Sequence, residues 1–436
     1  MSVFDPLLTD LDDIRAIRHF GRVQAVQAAT LRVQGLTRRG KLGDRVQITD
    51  STGRRVGGEI LALGRDGADV LPESALDGLA IGDRVEHLGR NTINPDDSWI
   101  GRVIDPYGNP LDDRPLGRGN QPRALRAPPP SPSRRKRLGG RLSTGLDVFN
   151  TLLPLVRGQR IGLFAGSGVG KTMLLGQLAR GIEADVVVLA LVGERGRELR
   201  EFTETVLGPD GLARSVVISA TSDQSPLARR RAALTAMAVA EHFRDKGRHV
   251  LLLCDSVTRF AEAHREIALA AGEAPSLRGF PPSTAHQIMA MAERAGPGEG
   301  DQGDITGIFT VLVAGSDMDE PVADILRGVL DGHVVLERSI AERGRFPAID
   351  LMRSVSRSLP AAATPTENAQ IAEARRLIGA WERAEMMVQA GLYAPGSDPL
   401  TDRAIKLFTR LDGFLAGANA KSPMESFVRL RKLLEG

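Results

Sequence analysis

The sequence predicts an α/β protein with a parallel-sheet core, preceded by a small β-barrel and followed by an α-helical region. Three patterns support this prediction: closely spaced short strands near the start, apolar strands alternating with helices in the middle, and helical periodicity near the end. We assign residues 1–20 to an N-terminal helical segment, 21–92 to the barrel, 93–363 to the core and 364–436 to the helical domain.

The composition is that of a globular protein able to bury more than one core, with 42% hydrophobic and 25% charged residues among 436. The net charge of +3 predicts no dominant basic stripe and therefore no nucleic-acid partner. Cys254 is the only cysteine, which excludes an intrachain disulfide and indicates a reducing compartment. Without a signal-peptide pattern or a membrane-length apolar run, the chain is predicted to be cytoplasmic.

A short amphipathic helix is predicted at the start of the chain. Leu7, Leu11, Ile14 and Ile17 follow one another at three- and four-residue spacing. Two interpretations remain open, a helix that caps the barrel and a docking segment for a partner or a membrane surface.

The barrel is predicted from short stretches separated by Gly and Asp turns, namely "RVQAVQAATLRVQG", "DRVQIT", "GGEILALG", "GADVLPE" and "DRVEHLG". Residues 21–90 contain no Phe, Tyr or Trp. A barrel that stacks single-stranded bases needs aromatic side chains, so this absence counts against an RNA-dependent helicase.

Residues 127–140, "APPPSPSRRKRLGG", are predicted to form an extended linker. Its prolines resist helix formation and hold the preceding residues extended. The basic run Arg134, Arg135, Lys136 and Arg137 is interpreted as a solvated part of this linker, with phosphate contact as the alternative.

The core strands are apolar throughout rather than alternating, as in "RIGLFAG", "DVVVLALVGE", "SVVISAT", "HVLLLCDS" and "ITGIFTVLVAG". Strands buried on both faces have this pattern, which indicates a parallel sheet covered by helices. Beyond residue 364 the strand signals stop, and apolar residues recur with helical period from Ile371 to Val388. Thr366 with Glu367 is the predicted start of that helix.

The stretch "FAGSGVGKTMLL", residues 164–175, lies between a strand and a helix and has the form of a phosphate-binding loop. Its candidate nucleotide-binding residues are Ala165, Gly166, Ser167, Gly168, Val169, Gly170, Lys171 and Thr172. The glycines let backbone N–H groups turn around an anion, Lys171 can reach the β- and γ-phosphates, and the Thr172 hydroxyl can ligate Mg²⁺. Ala165 occupies the place of the usual first glycine, which costs little if its φ is negative.

Two acids end neighbouring apolar strands. Asp255, after "HVLLLC", can hold Mg²⁺ through water, and Glu194, after "LALVG", can polarise the water that attacks a γ-phosphate. Glu194 can equally belong to a surface ion-pair cluster with its neighbours. Arg259 and Arg357 are candidates for stabilising transferred phosphoryl charge, and the sequence alone does not choose between them.

Taken in order, "FAGSGVGKT", "VGERGRE", "DSVTRFAEAHREIAL" and "LDGHVVLERSIAERGRFPAIDLMRSVSR" resemble the rotary-type ATPases. The resemblance covers about residues 20–420 and is greatest to the protein-export branch, the type III secretion ATPases. "GLYAPGSDPLTDRAI", residues 391–405, is similar to the flagellar members. The resemblance implies a RecA-like P-loop core, and ATP and Mg²⁺ as ligands.

The same resemblance implies residue roles. Lys171 would bind phosphate, Thr172 and Asp255 would serve Mg²⁺, and Glu194 would be the catalytic carboxylate. Arg357 matches the arginine finger that reaches a neighbouring subunit. Phe346 matches the position where the family stacks an aromatic ring on adenine, and it replaces a frequent Tyr. Arg195 and Arg259 match arginines at the rim of the site.

The resemblance implies a hexameric ring. Because Lys171, Glu194 and Arg357 all lie on one chain, a homo-hexamer needs no second subunit type, and a mixed ring is the alternative. The expected partners are a stator-like regulator at the N-terminal segment, a central stalk protein, the export gate, export chaperones and unfolded substrates. Peripheral association with the inner face of the plasma membrane is also implied. The alternatives are an injectisome ATPase, an F- or V-type synthase subunit, an RNA-dependent helicase, and a regulatory subunit that binds nucleotide without hydrolysing it.

Overall fold

The computed structural model describes residues 17–313, 318–418 and 420–435, apart from the side chain of Leu277. The amphipathic pattern at Leu7, Leu11 and Ile14 lies outside these residues. The strands are β1 (His19–Val26), β2 (Leu31–Gln34), β3 (Arg45–Thr49), β4 (Arg55–Leu63), β5 (Ala68–Pro72), β6 (Arg84–Gly89), β7 (Thr92–Ile93), β8 (Arg102–Ile104), β9 (Arg123–Ala124), β10 (Arg160–Ala165), β11 (Val186–Glu194), β12 (Ser215–Thr221), β13 (His249–Asp255), β14 (Gly296–Pro297), β15 (Asp304–Leu312), β16 (Gly332–Leu336) and β17 (Ile349–Ser356).

The first strands form the predicted barrel, closed in the order β1-β2-β5-β4-β3-β6. Successive strand residues point to opposite faces, so Val46 and Ile48 of β3 are buried inside while Arg45 and Gln47 face outward. The first strand begins at His19, which brings Phe20 into the barrel. Phe20 is 37% exposed, and the guanidinium of Arg84 lies over its ring.

The core is a twisted sheet in the order β17-β16-β10-β15-β13-β11-β12-β8. From β16 to β8 the neighbouring strands are parallel, and β17 runs antiparallel to β16 at the edge. The parallel-sheet prediction is therefore confirmed. Because the strands are parallel, β10, β11 and β13 end at the same edge, where Ala165, Glu194 and Asp255 stand.

The helices are α1 (Asp147–Asn150), α2 (Lys171–Gly181), α3 (Gly196–Glu201), α4 (Gly208–Ala213), α5 (Pro226–Asp245), α6 (Val257–Ala270), α7 (Ser283–Arg294), α8 (Pro321–Val329), α9 (Arg338–Glu342), α10 (Pro365–Gln389), α11 (Pro399–Leu415) and α12 (Pro423–Glu435). A π-helical turn, Phe202–Leu207, joins α3 to α4. Helix α10 starts earlier than predicted: Thr364 is its N-cap and forms a capping box with Glu367, while Thr366 lies inside the first turn. Among the described helices, none combines the length and the apolar character needed to cross a bilayer.

Two apolar clusters cover the faces of the sheet. One contains residues of α5, α6 and α7, and the other joins the sheet to the C-terminal helices through residues such as Phe149, Leu377 and Leu411. The C-terminal helices thus pack directly on the core, and Arg375 of α10 donates to the carbonyls of Leu351 and Leu152.

The basic run of the linker is only partly solvated: Arg134 and Arg137 are exposed, whereas Arg135 and Lys136 are half-buried against the core. Arg134 forms an ion pair with Glu299 at 2.8 Å, and Lys136 pairs with Asp304 at 3.1 Å. Arg135 donates to the carbonyls of Glu293 and Ala295. The sequence interpretation was only partly right because the acids that neutralise this run lie more than 150 residues away, in the loop around β14 and in β15.

Candidate active site

The phosphate-loop sequence forms the turn between β10 and α2. Gly168 and Gly170 have φ of 77° and 82°, a region in which a side chain is strained. Ala165 is the last residue of β10, is fully buried and does not have a positive φ. The turn therefore needs no glycine at Ala165, and its methyl group fills space in the core.

Lys171 begins α2 and lies among the two predicted acids. Its Nζ donates to Asp255 Oδ1 at 2.5 Å and is 3.8 Å from Glu194 Oε1. The three side chains are only 11%, 6% and 24% exposed, for Lys171, Asp255 and Glu194 respectively. The structure thus brings together groups that are 84 residues apart in the chain, at the same edge of the parallel sheet.

Thr310, which the sequence analysis did not single out, belongs to this cluster. It lies on β15, is fully buried, and its Oγ1 donates to Asp255 Oδ1 at 2.6 Å. Strand β15 pairs with both β10 and β13, so Thr310 is opposite Leu163 and next to Asp255. Its only sequence signal was a hydroxyl inside an otherwise apolar strand.

The Glu194 carboxyl lies in an environment that favours its protonated form. Burial and the charge of Asp255 raise its pKa to about 7, while Lys171 opposes the rise. Glu198, on α3, hydrogen-bonds to Glu194 and adds to the effect. A carboxyl with a pKa near neutrality can accept a proton from water and return it, the property expected of a general base.

The two rim arginines flank this cluster without entering it. Arg195 is 69% exposed and pairs with Glu198 at 2.9 Å. Arg259, which is less exposed, pairs with Glu262 at 2.8 Å, and its stem packs against Gly193. Its pKa is raised by the hydrogen bond to Glu262 and, more weakly, by the charge of Glu194, which places its guanidinium near the carboxyl.

Phe346 lies beside the phosphate loop. A Cβ added to Gly170 would be 3.0 Å from the Phe346 ring, so the ring packs against the last glycine of the loop. The ring is 51% exposed, which leaves one face open. An exposed aromatic face next to a phosphate loop is suited to stack on a nucleotide base.

Arg357 lies away from Lys171 in the same chain. It follows β17, and its guanidinium donates to the carbonyls of Leu330 and Arg327, near the start of β16. Gly332, where β16 begins, is four residues from Leu336, which pairs with Ala165. At roughly 3.3 Å per residue, Arg357 is about 13 Å or more from the loop edge, at the opposite end of the strands from its own chain's phosphate loop.

The residues present fit a Mg²⁺-nucleotide. A Cβ on Gly168 would meet no atom within 4 Å, and one on Gly166 would meet only the Val313 carbonyl at 3.6 Å, so space surrounds the loop. Lys171 would supply the cation, the Thr172 hydroxyl would supply an oxygen ligand, and the Asp255 carboxylate would hold the metal through water. Among the described residues, no group of three or more acidic, His or Cys side chains is arranged so that it could hold a metal ion by itself. Mg²⁺ usually takes one or two protein oxygens and completes its shell with phosphates and water, as this donor set allows.

Comparisons with known proteins match both parts of the chain that follow the barrel. Residues 145–356 match the nucleotide-binding domain of the ATP synthase alpha/beta family. Residues 363–430 match the C-terminal domain of the type III secretion ATPase EscN. The boundary between the two matches falls between β17 and α10.

Whole-chain relatives give the same result. The "Flagellum-specific ATP synthase" of Caulobacter vibrioides is 42% identical over 98% of this chain and 99% of its own. The assembled ATPase EscN of enteropathogenic E. coli superposes with a TM-score of 0.88 at 36% identity, covering 95% of this chain and all of that one. EscN in complex with its central stalk EscO superposes with a TM-score of 0.86 over the same share of the chain.

Proposed function

Because the chain belongs to the ATP synthase alpha/beta family, in its type III secretion branch, we propose that it hydrolyses Mg-ATP to drive protein export through the flagellar secretion apparatus. The observation that carries this proposal is the buried cluster of Lys171, Glu194 and Asp255 at the end of the phosphate loop. The flagellar assignment follows the whole-length identity to a flagellum-specific relative.

Each residue of the cluster has a distinct task in this proposal. The loop N–H groups and Lys171 hold the β- and γ-phosphates, and Lys171 exchanges its contact with Asp255 for the phosphates. Thr172 and Asp255 hold Mg²⁺, which supplies charge neutralisation on the phosphate oxygens when bound. Glu194 orients water and takes its proton, and Phe346 stacks on adenine.

Hydrolysis requires a second copy of the chain. Arg357 lies at the opposite end of the strands from its own phosphate loop, so in this proposal its guanidinium reaches a γ-phosphate across an interface. A repeated head-to-tail interface of this kind closes into a ring, and six copies match the resemblance to the rotary ATPases. Arg195 and Arg259, which already hold Glu198 and Glu262, line the rim of the shared site.

The partners follow from the same family membership. A central stalk protein would pass through the ring, as EscO forms a complex with EscN. A stator-like regulator would bind the N-terminal segment, and the export gate, chaperones and unfolded substrates would meet the ring at the inner face of the membrane. These partners and the cytoplasmic location remain proposals.

Point variants test the proposal directly. Lys171→Ala is expected to abolish hydrolysis, and Arg357→Ala to cut turnover by roughly 10³–10⁵ with nucleotide affinity kept. Arg353→Ala is the matched control: Arg353 lies on β17, the strand that precedes Arg357, and pairs with Glu337 at 3.0 Å, so this variant should keep its turnover. Normal hydrolysis by Arg357→Ala would refute the finger assignment.

Mixing the two inactive variants tests the shared site. In a mixed ring, some interfaces pair an intact Lys171 with an intact Arg357, so part of the activity should return. The specific rate of the natural chain should also rise cooperatively with protein concentration. No recovery on mixing, together with a rate strictly proportional to concentration, would show that one chain suffices.

An injectisome ATPase is the second candidate function, because EscN itself superposes over nearly the whole chain. Deleting the coding sequence separates the two. Loss of flagellar filaments and swimming with effector secretion intact supports the flagellar function, and the opposite phenotype supports the injectisome.

A further inference from the structure

One cavity in the described part of the chain lies away from the phosphate loop. It has a volume of about 840 Å³ and lies between the outer face of the barrel and residues 92–122. Its charged lining residues are Arg18, Arg45, Arg55, Arg90, Arg118 and Glu86. Five guanidinium groups thus share one concave space with a single carboxylate.

The barrel wall of the cavity follows from strand alternation. Arg45 and Gln47 are the outward residues of β3, and Gln47 pairs with Glu86 on β6. Arg55 begins β4, opposite Thr49. A solvated barrel face usually mixes charges of both signs, whereas this wall carries mainly arginine.

The opposite wall is held in place by buried polar contacts. Trp99 Nε1 donates to the Gly117 carbonyl at 2.6 Å, and Arg102 donates to Asp112 through two bonds of 2.6 Å. On the other side of Arg118, Asn94 Nδ2 donates to the Gly119 carbonyl at 3.1 Å, so the loop is anchored both before and after that residue. A wall fixed in this way lowers the entropy cost of binding a ligand.

Part of the positive charge in the cavity has no ion-pair partner among the described residues. Arg18 lies 3.7 Å from Glu86. Arg55 and Arg90 form no ion pair with any described residue, and the buried Nε of Arg45 has no hydrogen-bond partner. An adjoining smaller cavity is lined by three acids, Asp44, Glu59 and Glu73. Glu59 is already held by Arg230 through two bonds of 2.7 Å, and Asp44 lies 2.8 Å from His87 Nε2.

We propose that this cavity is a second anion site, which binds a chain of phosphates. Several arginines converging on one concave space recognise phosphate through charge-assisted, bidentate hydrogen bonds. The volume is in the range of small-molecule sites. None of the phosphate-loop residues lines it, so its occupancy is independent of the nucleotide site. The ligand is either free polyphosphate or the triphosphate of a second nucleotide.

The chain offers its own reporter for this site. Its two tryptophans are Trp99, which lines the cavity, and Trp381, which stacks on Phe408 among the C-terminal helices. A Trp381→Phe variant keeps an aromatic ring there and leaves Trp99 as the only tryptophan. Adding Lys171→Ala weakens phosphate binding at the loop.

In this double variant, tripolyphosphate is expected to change Trp99 fluorescence saturably, with an affinity that falls as salt rises. Arg55→Ala with Arg90→Ala should weaken binding by roughly tenfold or more. Arg38→Ala with Arg39→Ala removes the same charge from the barrel outside the cavity and should leave the affinity unchanged. Glu86→Gln removes the only acid and should tighten binding.

Calorimetry provides an independent measurement on the same proteins. The proposal is overturned if tripolyphosphate produces no saturable fluorescence change and no heat of binding. It is also overturned if the Arg55/Arg90 and Arg38/Arg39 double variants bind tripolyphosphate with equal affinity. Tighter binding of tripolyphosphate than of ATP identifies free polyphosphate as the ligand, and the reverse order identifies a nucleotide.

Discussion

Replacing Thr310 by valine is expected to impair hydrolysis without unfolding the chain. Valine has nearly the shape of threonine, so the buried position in β15 stays filled. What disappears is the bond from Thr310 Oγ1 to Asp255 Oδ1, 2.6 Å long and inside the core. Asp255 then depends on Lys171 alone to orient its carboxylate, and Lys171 leaves it when phosphate binds.

The size of the effect follows from that single contact. A hydrogen bond to a charged group contributes roughly 1.5–3 kcal/mol, and Asp255 is only 4% exposed, so water does not replace the donor. If the whole contribution is lost in the transition state, kcat/KM falls about 10- to 150-fold. The Mg²⁺ concentration for half-maximal activity should rise as well, because the carboxylate that serves the metal is no longer held.

Steady-state ATPase assays at varied Mg²⁺ test this expectation. Thr306→Val is the matched control: Thr306 lies on the same strand, is equally buried and bonds His249 at 2.8 Å and the Gly158 N–H at 2.9 Å. It should lose stability but keep its Mg²⁺ dependence. If Thr310→Val hydrolyses ATP at the natural rate with unchanged Mg²⁺ dependence, Thr310 does not position Asp255.

Glu241→Ala should lower the free energy of unfolding by about 3–5 kcal/mol in urea titrations, since it leaves Arg294, 2% exposed, as an unpaired buried charge. Glu342→Ala removes one partner of an exposed ion pair and should change the free energy of unfolding by no more than about 0.5 kcal/mol. Equal losses of stability in the two variants would contradict this reasoning. Burial lowers the pKa of His264 to about 4, below its unfolded value near 6.5. The unfolded chain therefore takes up protons first, and stability falls as pH drops from about 6.5 to 4; His264→Gln should reduce the loss between pH 6.5 and 5, and an unchanged melting-temperature profile would argue against it. Phe346→Ala should weaken ATP binding by roughly tenfold, whereas Phe346→Tyr should leave the affinity unchanged. If Phe346→Ala binds ATP as tightly as the natural chain, Phe346 does not stack on the base.

Much of the fold was predictable because its signals are local. The strand–glycine loop–helix pattern around Lys171 needs only a dozen consecutive residues, and the apolar runs identified the buried strands directly. Since parallel strands end at one edge, Glu194 and Asp255 could be placed near Lys171 before their distances were known. The fold class, the barrel and the family resemblance are confirmed.

Other predictions failed or were missed because they depend on partners distant in sequence. The basic run that begins at Arg134 was interpreted as solvated because its acidic partners, Glu299 and Asp304, lie far away in the sequence. Thr310 went unnoticed because a hydroxyl in an apolar strand has no significance until the sheet order places it beside Asp255.

By itself, the sequence determined the elements and the chemical groups of this protein: a phosphate loop, two strand-end acids and a set of arginines. Only the tertiary structure decided which of these groups meet. Sheet register brings Lys171 and Thr310 to the same oxygen atom of Asp255, Oδ1. It places Arg357 at the opposite end of the strands from the phosphate loop. The packing of the barrel on the core gathers separate arginines into one cavity. Local preferences decide the conformation of each segment, whereas charge and distance between segments exist only once the chain has folded.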